Sequence, residues 1–168
     1  MTVSDSEKGL QIGSKAPMID TVDIHGNKIN LTELLQENRG LLIDFFRGAW
    51  WHYWKIQLSI LNNNITEIEM RNVRFVSIAT DRARPLKRLA DKEDYKFSIV
   101  ADEQAQISKE YNVFGIPVDY DMIKSELAIP STYLIDRNGD IVWRYIGTKT
   151  DRPKIQDILN AIDTHLQN

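Results

Sequence analysis

Residues Leu41 to Lys55 read LLIDFFRGAWWHYWK, and the rest of the chain is arranged around this stretch. Its first six residues are apolar except for one aspartate, which is the pattern of a strand covered on both faces. A short turn with one glycine follows, and the remaining residues begin a helix. In open α/β folds, binding and catalytic sites lie where the carboxyl end of a strand meets the amino terminus of a helix. We therefore expect the functional site here.

The composition excludes several classes of protein. The 168 residues, with 42% hydrophobic side chains, suffice for one domain with its own core. The net charge of −3 comes from scattered charges of both signs, so a nucleic-acid-binding surface is not expected. No apolar run is as long as a membrane span and residues 1–9 are too polar for a signal peptide, so we expect a cytoplasmic protein without membrane contact. We expect a flexible tail over residues 1–11 and a single domain over residues 12–168.

The chain contains no cysteine. Disulfides, thiolate metal ligands and thiol nucleophiles are therefore excluded. Any chemistry at the strand–helix junction has to use other side chains.

The spacing of apolar residues predicts an α/β fold. A helix over residues 51–71 has an apolar stripe at alternating spacings of three and four, and Asn62 to Asn64 mark a bend or break in it. The order of elements predicts a central mixed β-sheet with helices on both faces and an amino-terminal hairpin extension. The other predicted strands are residues 19–24, 73–79, 97–100, 131–136 and 141–146, and the other predicted helices start near Asn30 or Thr32, Pro85, Glu103 and Thr150 or Asp151.

Asp44 is the one charged residue inside the apolar strand. A carboxylate in such a place is costly unless it is paired or protonated. We expect Asp44 to be buried, with Lys55 or Arg47 as candidate partners, and a carboxylate that faces solvent at a strand edge is the alternative.

Three motifs together resemble the peroxiredoxin-like members of the alkyl hydroperoxide reductase/thiol-specific antioxidant family, which have a thioredoxin-like fold. Residues 13–17 read GSKAP, which is similar to a motif near the start of family members. Residues 47–54, RGAWWHYW, match the family's active-site form Arg-Gly-x-Trp-Cys-Pro-x-Cys. Residues 129–140, IPSTYLIDRNGD, are similar to the segment that carries a cis-proline before a hairpin in this fold. The resemblance runs from Ile12 to the end of the chain.

The chain departs from the family pattern at the residues that carry its chemistry. Trp51 and Trp54 stand where the family has its two cysteines, and His52 stands at the proline. Peroxide reduction needs a thiolate that attacks oxygen, and disulfide exchange needs sulfur both as attacker and as leaving group. We therefore expect no catalysis by the family's mechanism, no cofactor and no metal, and a retained binding role.

The resemblance also indicates where a partner would bind. We expect Trp54 in the core and Trp51 partly exposed and available to a ligand. A cis bond before Pro130 would place the backbone of Ile129 beside the start of the helix, where thioredoxin-fold proteins hold extended peptides. The expected partner is a peptide or protein, and the expected binding residues are Arg47, Trp50, Trp51, His52, Tyr53, Ile129 and Pro130.

Two alternatives remain open at this point. One is a copper or haem site near His52, with Met18 or Met122 as a thioether ligand. His25 and His165 are distant in sequence from His52, so a solvated histidine at the start of the helix competes with this interpretation. The other alternative is a homodimer that buries the tryptophans.

Overall fold

The computed structural model describes residues 8–115, 128–148 and 150–166. In these residues the chain forms seven strands and six helices. The elements are β1 (Asp20–Val22), β2 (Lys28–Asn30), α1 (Leu31–Glu37), β3 (Gly40–Phe46), α2 (His52–Asn63), α3 (Ile65–Met70), β4 (Val73–Ala79), α4 (Ala83–Glu93), β5 (Ser98–Ala101), α5 (Gln106–Glu110), β6 (Ser131–Asp136), β7 (Ile141–Ile146) and α6 (Ile155–His165).

The central sheet has five strands in the order β5-β4-β3-β6-β7. β3 is parallel to β4, which is parallel to β5, whereas β6 is antiparallel to both β3 and β7. β1 and β2 form a separate antiparallel hairpin. The predicted mixed sheet and amino-terminal hairpin are confirmed, and the Asn30 side chain caps α1 by accepting a hydrogen bond from Glu33 N.

Strand β3 is at the centre of the molecule, and all seven of its residues are buried. Leu42 and Phe46 face a core formed with α2, α3, α4 and α6, whereas Leu41, Ile43 and Phe45 face a second core formed with α1 and the β1–β2 hairpin. Both faces of the strand are covered, which explains why its sequence is apolar throughout rather than alternating.

The long predicted helix is broken at Asn64. α2 ends at Asn63 and α3 begins at Ile65, and the Asn64 amide Nδ2 donates to Ile60 O over 2.8 Å. The apolar stripe continues across the break, since Leu61, Ile65 and Ile68 are all buried. Asparagine side chains that bond to nearby backbone compete with the helix, which accounts for a break in this Asn-rich segment.

Several predicted helix starts are wrong. α6 begins at Ile155, and its cap is Lys154 with Asp157 accepting the Lys154 N–H, rather than Thr150 or Asp151. The predicted helix after Glu103 is reduced to α5, and the buried Asp102 carboxylate accepts the N–H groups of Ile107 and Ser108. The prediction of a loop or short helix at residues 120–127, which includes Met122, lies outside the described residues.

Candidate functional site

The junction between β3 and α2 consists of residues 47–51. Trp51 is the residue before α2, with an extended backbone (φ −90°, ψ 116°), and its side chain caps no backbone group of the helix. The junction is held to the neighbouring strand, because Thr80 N donates to Phe46 O over 3.0 Å and Thr80 Oγ1 donates to Arg47 O over 3.3 Å. The junction is thus a fixed part of the sheet edge.

Trp51 is buried, with 7% of its surface exposed, so the expectation of a partly exposed ring is wrong. The ring belongs to the core cluster that includes Phe46 and Trp54, and two guanidinium groups lie over it. Arg47 Cζ lies 5.2 Å and Arg152 Cζ lies 4.6 Å from the centre of the Trp51 ring, both within cation–π range. Arg152 comes from the loop before α6, far along the chain from the junction. Trp54 lies in the core as expected, with its ring centre 3.8 Å from that of Phe46.

Replacing Arg152 by glutamine is expected to uncover Trp51. The change removes the cation–π contact, which is worth about 0.5–2 kcal/mol, and the stem that covers the ring. In a Trp50→Phe background, which removes the exposed neighbouring indole, Arg152→Gln should increase acrylamide quenching of tryptophan emission. Arg84→Gln, on the surface of α4, is the matched control and should leave quenching unchanged. Equal quenching of the two variants would contradict the assignment of Arg152 as the cover.

The outward side of α2 carries exposed apolar side chains. Tyr53 is 42% exposed, and the exposed Ile56 and Ile60 follow on the same side of the helix, whereas Trp50, which is 58% exposed, lies in the junction just before α2. We refer to these four residues as the aromatic face. The Trp50 indole packs on Gly48, where an added Cβ would lie only 2.6 Å from Trp50 Nε1.

Asp81 connects the junction to the start of α4. Its Oδ2 accepts the Ala49 N–H over 2.9 Å, and its Oδ1 accepts the Arg82 N–H over 2.7 Å. The contact of Asp81 with Ala49 could not be predicted from the sequence, because it depends on how the two loops meet at the sheet edge. One carboxylate therefore holds both loops.

Asp44 is buried behind the junction, with 4% of its surface exposed. Burial raises the pKa of this carboxyl to about 8, and Ser77 and the charge of Arg152 offset that rise only in part. Ser77 is its partner in the strand register, but neither Asp44 Oδ1 nor Ser77 Oγ has a hydrogen bond of good geometry within the described residues. Asp44 also forms no ion pair with Lys55 or Arg47 in this part of the chain. Lys55 is exposed, and the Arg47 guanidinium lies over the Trp51 ring. A carboxyl group that is protonated at neutral pH thus lies buried beneath the junction.

The backbone near Pro130 does not offer the expected peptide-binding edge. The Ile129–Pro130 bond is trans, so the expectation of a cis bond is wrong. Ile129 N donates to Val113 O over 2.6 Å, and Ile129 O accepts from Ser131 Oγ over 3.1 Å. Both Ile129 and Pro130 are buried. The hydrogen-bonding groups of Ile129 are therefore already used inside the protein.

His52 is the first residue of α2 and is exposed, with the edge of its ring against Tyr53. Met18, one of the two thioethers considered for copper, instead contacts Thr32 of α1, on the opposite face of the sheet from α2. Over residues 8–115, 128–148 and 150–166, no three His, Cys, Asp or Glu side chains group to hold a metal. In the same residues, no helix combines the length and the apolar character needed to cross a membrane.

Comparison with known proteins places these features in a family. The sequence model of the AhpC/TSA family matches residues 12–144. The chain is 29% identical to peroxiredoxin Bcp of Escherichia coli K12 over 160 residues, which cover 93% of this chain and 97% of the relative. It is 26% identical to the thiol-disulfide oxidoreductase ResA of Bacillus cereus (strain ZK / E33L) over 148 residues, or 88% and 76% of the two chains.

Solved structures agree with the fold. Peroxidoxin BcpB from Mycobacterium tuberculosis superposes with a TM-score of 0.77 at 14% identity, over 92% of this chain and 97% of that one. Because the family model spans most of the sequence and includes the β3–α2 junction, the chain belongs to the AhpC/TSA family.

Proposed function

We propose that this chain is a member of the AhpC/TSA family that has lost thiol chemistry and acts by binding another protein. The observation that carries the proposal is the burial of Trp51, which we align with the family's first cysteine, beneath Arg152. The E. coli relative is named a peroxiredoxin and the B. cereus relative a thiol-disulfide oxidoreductase. Both chemistries require a sulfur nucleophile, and this chain contains no cysteine.

The other side chains near Trp51 support the loss of catalysis. An indole has no lone pair comparable to that of a thiolate, and two guanidinium groups lie within cation–π range of the ring. Ser77 is fully buried behind the junction, so its hydroxyl does not reach a substrate in solution. Neither the Trp51 indole nor the buried Ser77 hydroxyl replaces the missing thiol as a nucleophile.

The aromatic face supports the binding role. Tryptophan and tyrosine are favoured anchors of protein interfaces, and apolar groups exposed together often mark such surfaces. Trp50 and Tyr53 supply the anchors in this proposal, whereas Trp51, Ile129 and Pro130 are buried and do not belong to the exposed surface. A second copy of the chain is the alternative occupant. Sedimentation velocity over a hundredfold range of concentration separates the two, because only self-association depends on the concentration of this chain alone.

Restoring sulfur tests the loss of chemistry. The unsubstituted chain should consume no hydrogen peroxide above the buffer rate in the presence of dithiothreitol. The double variant Trp51→Cys/Trp54→Cys should consume peroxide and should contain a thiol that iodoacetamide alkylates below pH 7. A helix amino terminus and nearby arginines lower the pKa of a thiol, which gives the reason for this result.

Trp50→Cys is the matched control, because it places an exposed thiol next to the junction but outside the family's cysteine positions. It should be alkylated only at ordinary thiol pH and should not turn over peroxide. Turnover by the unsubstituted chain would refute the proposal. Equal activity of the control and the double variant would refute the alignment of Trp51 with the family cysteine.

A further inference from the structure

A cleft of about 580 Å³ lies at the end of the sheet remote from the β3–α2 junction. One wall is α1, and the other walls are residues 15–18 and the β6–β7 turn. The register pairs Gly40, the first residue of β3, with Asp136, so the cleft and the junction lie at opposite ends of that strand. The volume is in the range of small-molecule sites, about 300–1,000 Å³.

The walls of the cleft are fixed to one another. Ala16 N donates to Gly139 O over 2.8 Å, and Lys15 Nζ contacts Asp140 Oδ1 over 2.8 Å. Thr32 Oγ1 of α1 lies 3.6 Å from Met18 Sδ. Contacts within the protein therefore hold the walls in place, and a preorganised cleft loses less entropy on binding.

The charged groups of the cleft are all cationic. Its lining includes Lys15 and Arg137 but no Asp or Glu. Lys15 is paired with Asp140, whereas the only hydrogen bond of Arg137 to the described residues is a long one of 3.5 Å from Nε to Asn38 O. The terminal nitrogens of Arg137 therefore have no acceptor in that part of the chain, and a planar guanidinium binds carboxylates well.

The remaining lining offers an apolar surface beside this cation. Met18, Leu31 and Leu35 line the cleft, and Met18 is 50% exposed, which is high for a large apolar side chain. A ligand that matches both the cationic and the apolar part of the cleft has an anionic head that binds Arg137 and a hydrocarbon tail that packs on Met18. The exposed amide of Gln36 adds a donor near the head.

We propose that this cleft binds a small amphipathic carboxylate, with its carboxylate on Arg137 and its alkyl or aryl tail on Met18, Leu31 and Leu35. Such a site is independent of the aromatic face and of the lost thiol chemistry. A failure of binding at this cleft would therefore leave the proposed function unaffected, and a failure of the proposed function would leave binding at this cleft unaffected.

Sodium octanoate is the probe, and 1-octanol and sodium acetate are its neutral and tailless counterparts. Titrations followed by ¹⁵N–¹H correlation spectra of the full chain should show saturable shifts at the amides of Thr32, Gln36, Asn138 and Gly139. Octanol and acetate should each bind at least tenfold more weakly than octanoate. Arg137→Gln should weaken the binding of octanoate at least tenfold and leave the binding of octanol unchanged.

Two further variants complete the test. Met18→Gln should weaken the binding of octanoate about threefold to tenfold without changing the binding of acetate. This variant also tests the proposal if Arg137→Gln does not fold. Arg84→Gln, an exposed cation outside the cleft, should leave octanoate binding unchanged. The absence of saturable shifts, shifts centred on residues 50–53, or equal weakening by Arg84→Gln and Arg137→Gln would each overturn the proposal.

Discussion

The free energy of unfolding of this chain is expected to fall by about 5 kcal/mol between pH 4 and pH 9, because burial raises the pKa of the Asp44 carboxyl to about 8. An unfolded chain releases this proton at the ordinary aspartate pKa of 3.8, whereas the folded chain keeps it until about pH 8. Between these values the folded state binds one more proton than the unfolded state. Stability therefore decreases as the pH rises through this interval and becomes level above it.

Urea unfolding followed by circular dichroism at several pH values measures this decrease. Asp44→Asn removes the titrating group while keeping the shape of the side chain, so most of the decrease should vanish. Asp94→Asn is the matched control, because Asp94 is a surface carboxylate with 80% of its side chain exposed. A stability that is independent of pH in the unsubstituted chain would show that Asp44 is ionised in the folded state. A decrease of equal size in Asp44→Asn would assign the effect to another group.

Trp54→Ala is expected to lower the free energy of unfolding by about 4 kcal/mol, the usual size for a large aromatic residue removed from a core. The Trp54 side chain is fully buried, and its ring packs against Phe46 at the centre of the sheet. The substitution leaves a cavity between α2 and β3 that the surrounding strands cannot close.

Trp50→Ala provides the comparison within the same stretch. Because Trp50 is 58% exposed, the change should cost about 1 kcal/mol or less. Circular dichroism is the suitable measurement for both variants, since each loses a fluorophore. Equal losses would contradict the assignment of Trp54 to the core and Trp50 to the surface.

Much of the fold follows from local patterns in the sequence. The late hairpin has its predicted bounds, residues 131–136 and 141–146, because alternating β-branched and aromatic residues flank a turn with Asn-Gly. The break at Asn64 and the buried strand β3 were predictable for similarly local reasons. Helix starts were less predictable, since Ala105, just before α5, has a left-handed backbone (φ 57°), and the Asp81 carboxylate bonds to Ala49 of a loop that only the tertiary fold brings near it.

The candidate site was predictable in its place but not in its details. The β3–α2 junction could be located from residues 41–55 alone, because a buried strand followed by a turn and a helix has a recognisable sequence. The burial of Trp51 was not predictable, since its cover, Arg152, belongs to a loop about a hundred residues further along. The trans bond at Pro130 likewise departs from the fold's usual pattern, and no residue in its neighbourhood indicates this in the sequence.

The bond from Asp81 to two loops has a mechanical consequence. The Asp81 carboxylate, on the loop that follows β4, bonds to Ala49 on the loop that follows β3, so a displacement of one loop strains the hydrogen bond that joins it to the other. A protein that presses on Trp50 would therefore transmit its effect to the first turn of α4, a helix whose start carries the exposed cations Arg82 and Arg84. Binding of a protein at Trp50 and the position of the cations Arg82 and Arg84 are in this way linked through Asp81.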